Sequence, residues 1–124
     1  MLRGHTSTVS CVTSLPGDDV VSGSDDGTLR VWSDDGSSHV LAGHTGGVMC
    51  VATTPEGIIL SGSADTKIKV WRDQMCILTL PGHSDPVRGL AVLPSMELVS
   101  VSNDKCIRVW CSTFVSDSAD ARRH

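Results

Sequence analysis

The chain has 124 residues, enough for one modest domain, and a formal net charge of −4 from 10 basic and 14 acidic side chains. That balance argues against nucleic acid and against an anionic membrane as partners, because both reward a clustered basic surface; the one basic doublet, Arg122-Arg123, sits beside the C-terminus and reads as solvated tail. After Met1-Leu2-Arg3-Gly4-His5 the residues turn polar rather than apolar, and no later run has the length of a bilayer span, so the expected setting is soluble and intracellular, in the cytoplasm with the nucleus also open.

The predicted elements repeat. Val9–Ser14 is a short β-branched and apolar run ending at the turn Pro16-Gly17-Asp18. A second strand, Val20–Ser24, leads into a tight turn at Asp25-Asp26-Gly27. A third, Thr28–Trp32, alternates polar and apolar side chains with the period of two of a pleated strand. A fourth fits His39–Ala42. The order then recurs: Val48–Thr53, Ile58–Ser63, a turn at Ala64-Asp65-Thr66, Lys67–Trp71 and Cys76–Leu80. It recurs again in Val87–Leu93, a turn at Pro94-Ser95, Leu98–Ser102, the turn Asn103-Asp104-Lys105 and Cys106–Trp110. The segment after Trp110 is polar and offers only a ragged fourth strand around Thr113-Phe114-Val115.

Self-comparison shows a step of 39 residues with no insertion or deletion. It relates Gly4-His5, Gly43-His44 and Gly82-His83; Ser22, Ser61 and Ser100; Asp26, Asp65 and Asp104; and Trp32, Trp71 and Trp110. Five cysteines without C-x-x-C spacing exclude a closely spaced zinc or redox motif, and no cofactor or metal is expected. Cys11 and Cys50 occupy equivalent positions, where the third copy has Gly89, and read as small apolar residues within strands. A recurring serine, histidine and aspartate can suggest a hydrolase triad. A catalytic triad occurs once and exposes its nucleophile, whereas this set occurs three times, each with a tryptophan, so no catalytic residue is assigned.

Four short strands per copy, with Gly-His early and tryptophan late, resemble the WD40 repeat of β-propellers. The expected fold is therefore all-β: three four-stranded antiparallel blades in an incomplete ring, since closed propellers have about four to eight blades. Residues 1–42, 43–81 and 82–111 would form the three blades and 112–124 a polar tail, the outer strand ahead of Gly4 being truncated. Further blades are expected from a longer parent chain, and apolar side chains should be bare on the outward faces of the first and third blades. The resemblance implies a hydrogen-bonded structural tetrad in each blade: His5, Ser22, Asp26 and Trp32; His44, Ser61, Asp65 and Trp71; His83, Ser100, Asp104 and Trp110. It also places three residues of each blade on the top face as candidate partner contacts: Thr8, Ser10 and Asp25; Gly47, Met49 and Ala64; Pro86, Arg88 and Asn103.

Within the WD repeats, Met75-Cys76-Ile77-Leu78-Thr79-Leu80 followed by Gly82-His83-Ser84-Asp85-Pro86-Val87-Arg88-Gly89-Leu90-Ala91-Val92-Leu93 resembles the N-terminal propeller of the phospholipase A2-activating protein family. That resemblance implies a non-catalytic scaffold with ubiquitin as its protein partner, acting in ubiquitin-dependent protein turnover. The competing expectations are a WD-repeat scaffold for another protein complex and a truncated product without a function of its own.

Overall fold

In a computed structural model of the chain, the residues described are 7–33, 35–72, 74–81, 83–93 and 97–110, without the side chains of Pro81 and Trp110. Among them are eleven strands: β1 Val9–Ser14, β2 Val20–Ser24, β3 Thr28–Trp32, β4 Ser38–Ala42, β5 Val48–Thr53, β6 Ile59–Ser63, β7 Lys67–Arg72, β8 Met75–Pro81, β9 Val87–Val92, β10 Leu98–Ser102 and β11 Ile107–Trp110. They form three antiparallel sheets in sequential order, β1-β2-β3-β4, β5-β6-β7-β8 and β9-β10-β11.

The strand ends differ from the sequence reading by single residues, for local reasons. The Ile58 N–H donates to Thr54 Oγ1 (3.2 Å), and the Leu93 N–H donates to the Glu97 carbonyl (2.8 Å), so both belong to turns. Cys106 likewise gives its N–H to the Asp104 carboxylate (2.9 Å) instead of a ladder. The third sheet has three described strands where four were expected. The expected fourth, around residues 113–115, lies outside the described residues, as do His5, the 94–95 turn and the outer strand before residue 4.

Successive sheets pack face to face, with β5 against β1 and β2, and β9 against β5 and β6. Two apolar layers result. Val21, Leu29 and Leu41 of the first sheet meet Val48, Ile59 and Trp71 of the second. Cys50, Ile58, Leu60, Ile68, Val70 and Leu80 of the second meet Val87 and Leu98 of the third. Burial of such side chains, each contributing roughly 1.5–3 kcal/mol, is the main force holding the stack.

Glycine makes the close approach possible at two equivalent positions. A Cβ on Gly23 would lie 2.5 Å from Val48 Cγ1, and one on Gly62 would lie 2.6 Å from Val87 Cγ1. Each valine of the next sheet thus sits in a seat that only glycine leaves open. The equivalent valine of the first sheet, Val9, is 53% exposed, whereas Val48 and Val87 are fully buried. At the other end Ile107 is 71% exposed, while its equivalent Ile68 is fully buried. The two outward faces are therefore bare and apolar.

Candidate structural tetrads and the turn face

The second sheet holds a complete chain of hydrogen bonds. The Trp71 indole N–H donates to Ser61 Oγ (2.9 Å), Ser61 Oγ lies 2.7 Å from His44 Nε2, and His44 Nδ1 lies 2.9 Å from Asp65 Oδ2. Indole can only donate and carboxylate can only accept, which fixes the direction of every bond between them. Ser61 accepts from Trp71 and donates to Nε2, and His44 donates from Nδ1 to Asp65. The histidine in this chain is the neutral Nδ1–H tautomer.

Local sequence sets each member in place. Ser61 lies in β6 directly across from Lys69, and Trp71 lies near the end of β7 across from Ile59. Asp65 sits in the turn after β6, where its Oδ1 accepts the Lys67 N–H (3.0 Å) and its own N–H donates to Ser63 Oγ (3.1 Å). Its Oδ2 also takes the Thr45 N–H (3.0 Å), which ties the Gly43-His44 loop to the turn. Burial pushes the Asp65 carboxyl upward, but the bonds from His44, Lys67 and Thr45 outweigh it and hold the pKa below the usual carboxylate range. Burial pushes His44 down, against the pull of Asp65, so the imidazole resists protonation.

The third sheet repeats the arrangement. His83 Nδ1 lies 2.9 Å from Asp104 Oδ2 and His83 Nε2 2.8 Å from Ser100 Oγ, and the Ser84 N–H donates to Asp104 Oδ2 (3.0 Å). The hydrogen bonds that Asp104 accepts from Ser84, His83 and Cys106 overcome desolvation and hold its carboxyl low. In the first sheet the Trp32 N–H donates to Ser22 Oγ (2.8 Å), and Asp26 accepts the Thr28 N–H (2.9 Å). His5 and the Trp110 side chain fall outside the described residues.

Burial decides what these sets can do. Ser61 and Ser100 are fully buried, and the Ser61 hydroxyl is already committed to Trp71 and His44. A nucleophile must meet its substrate, and these hydroxyls cannot. Among the described residues, no group of three or more His, Cys, Asp or Glu is placed to hold a metal ion.

Six of the nine candidate contact residues pair in a repeated way. The Asp25 N–H donates to the Thr8 carbonyl (2.9 Å), Ala64 to Gly47 (2.9 Å) and Asn103 to Pro86 (3.3 Å). The same three carbonyls also accept the hydroxyls of Ser24, Ser63 and Ser102, each at 2.9 Å. Each turn is thereby laced to the start of the first strand of its own sheet. Thr8, Ser10, Asp25, Ala64, Arg88 and Asn103 are exposed, while Gly47, Met49 and Pro86 are half-buried. Ser10 also donates to the Val48 carbonyl, a link between the first two sheets. Met49 packs against the core between the second and third sheets, so it is less free to meet a partner than the sequence alone suggests.

Sequence reasoning missed Ser24, Ser63 and Ser102 as the hydroxyls that join turn to strand. Their 39-residue spacing was the available signal.

Comparison with known proteins bears on most of the chain. The family model described as WD domain, G-beta repeat matches residues 1–33, 36–72 and 74–111. No curated protein matches. Two solved structures, titled "Crystal structure of RRP9 WD40 repeats" and "Structure of U3-55K", each match with 32% identity and a TM-score of 0.81. Each match covers 88% of this chain and 37% of the other, so the chain spans little more than a third of those structures.

Proposed function

The chain belongs to the WD-repeat family of β-propellers, and from that premise we propose that it is a non-catalytic protein-binding scaffold with ubiquitin as the first partner to test. The carrying observation is the repeated lacing of each turn to its first strand, which fixes Asp25, Ala64 and Asn103 beside Thr8, Gly47 and Pro86 on rigid backbone. Rigid presentation lowers the ordering cost of binding, and Arg88 adds an exposed cation of the kind enriched at interface hot spots. A face with small apolar groups and one arginine suits a mixed apolar and polar patch on a small folded protein. The choice of ubiquitin rests on the sequence resemblance to the phospholipase A2-activating protein family.

The test is titration of a propeller containing this segment with ubiquitin, followed by calorimetry. Because Met49 is half-buried, the variant should shorten it without adding charge. Met49→Ala with Arg88→Asp should weaken binding at least tenfold, about 1.4 kcal/mol. Unchanged affinity clears this face of the role. An intact propeller that binds no ubiquitin leaves a scaffold for another protein and removes ubiquitin as the partner.

A further inference from the structure

The third sheet departs from the first two at one cross-strand pair. In the first sheet Cys11 stands opposite Gly23, and in the second Cys50 stands opposite Gly62. In the third the sizes are exchanged, with Gly89 opposite Val101. The exchange is mutually compensating. A Cβ on Gly89 would lie 2.9 Å from Val101 Cγ2, just as one on Gly23 or Gly62 would lie 2.7 Å from the facing cysteine sulfur. A pair of this kind holds one large side chain and one hydrogen.

The consequence falls on the face rather than on the pair. Gly23 and Gly62 are the seats that receive Val48 and Val87 of the following sheet, with no room for even a Cβ. Val101 fills the corresponding seat on the third sheet with its own isopropyl group. Around it Ile107 and Val109 are 71% and 50% exposed, although Ile68 and Val70, their equivalents, are fully buried beneath the third sheet. The face is built for covering, yet its seat is closed to a valine.

We propose that the outward face of the third sheet is a docking surface selective for a β-sheet whose first strand carries alanine or glycine where β5 has Val48 and β9 has Val87. Continuity with the two existing sheet interfaces identifies the occupant as a sheet of the same repeat type. The overlap at Val101 rules out one with valine at that position, which includes the chain's own first sheet, with Val9 there. Val101 thereby acts as a discriminator between otherwise similar sheets, by a clash against the wrong partner.

The test uses self-association of the full chain, with the first sheet of one copy as the probe for the third sheet of another. Val9 and Val101 are both exposed, so shortening either leaves the fold intact. Sedimentation equilibrium should show that Val9→Ala and Val101→Gly each tighten head-to-tail association at least fivefold over the parent chain. Adding Ile107→Asp to either variant should abolish the gain. Loss of apolar surface alone predicts the opposite sign, weaker association for both shortened variants. That outcome, or a parent chain that associates as tightly as the variants, or no association by any of them, overturns the proposal.

Discussion

Ser61 Oγ accepts the Trp71 indole N–H at 2.9 Å in a fully buried position, across the β6–β7 pair. The bond is one link of a chain that ends on the Asp65 carboxylate, so removing any member strands a buried partner. Unpaired buried donors and acceptors cost about 1–3 kcal/mol each.

Asp65→Ala should therefore lower stability by about 2–3 kcal/mol, since the His44 and Thr45 donors both lose their acceptor. Glu56→Ala, at an exposed turn, should stay within about 0.5 kcal/mol. Urea unfolding of the two variants side by side makes the comparison, and equal midpoints would remove Asp65 from its structural role.

Stability should fall with acid in two stages. The His44 pKa is depressed by burial, so the unfolded chain takes up a proton first, as pH drops below about 6.5, and stability is lost from there down to the folded pKa. Asp65 is held low in the fold, so its contribution is present above about 3.9 and is lost as pH falls from there through the folded value. Denaturant midpoints measured from pH 8 to pH 5 should decline below neutrality, and His44→Asn should flatten that first slope.

Thr66→Gly should stabilise the chain. Gly27, Thr66 and Lys105 are equivalent turn residues with φ of 85°, 74° and 68°. A β-branched residue is strained in that left-handed region, where glycine is at ease. Relief of strain, reduced by the greater freedom of glycine in the unfolded chain, should give about 0.5–1 kcal/mol. A lower melting temperature for the variant would contradict the reading. Gly27→Thr should act in the reverse direction, with the added Cβ also pressed 3.3 Å from the His44 carbonyl.

Quasi-equivalent positions should respond unequally to the same change. Ile68→Thr removes a fully buried side chain from the layer between the second and third sheets and should cost roughly 2 kcal/mol or more. Ile107→Thr, at 71% exposure, should cost less than about 0.5 kcal/mol and raise solubility. Thermal melts and saturation concentrations of the two variants are the measurements.

The strands were legible because period-two alternation, as in Lys67 to Trp71, leaves little choice of element or face. The turns were legible because Asp25-Asp26-Gly27 and its copies recur at a fixed step. Three features were not. The strain at Thr66 shows only when its backbone is compared with Gly27. The half-burial of Met49 depends on the third sheet behind it. The exchange of Gly89 and Val101 needed the cross-strand register, because a one-dimensional comparison records Cys11, Cys50 and Gly89 as a substitution without naming the partner that compensates it.

The family units and the sheets run out of step. The unit at 36–72 begins with β4, the last strand of the first sheet, and ends with β7, leaving β8 to the next unit. A scissile bond in the loop before Ser38 therefore cuts a sheet in two, whereas one between Ala42 and Val48 leaves every strand with its hydrogen-bonded neighbours. A protease nicking the first loop would leave the pieces gripping each other through the β3–β4 ladder. One nicking the second would leave them joined by packed side chains and the single hydrogen bonds from Ser10 to Val48 and from Thr53 to Ser14, which denaturant separates. Fragments for expression are accordingly best divided after Ala42 rather than after Trp32, even though the boundaries of the repeat units suggest the opposite.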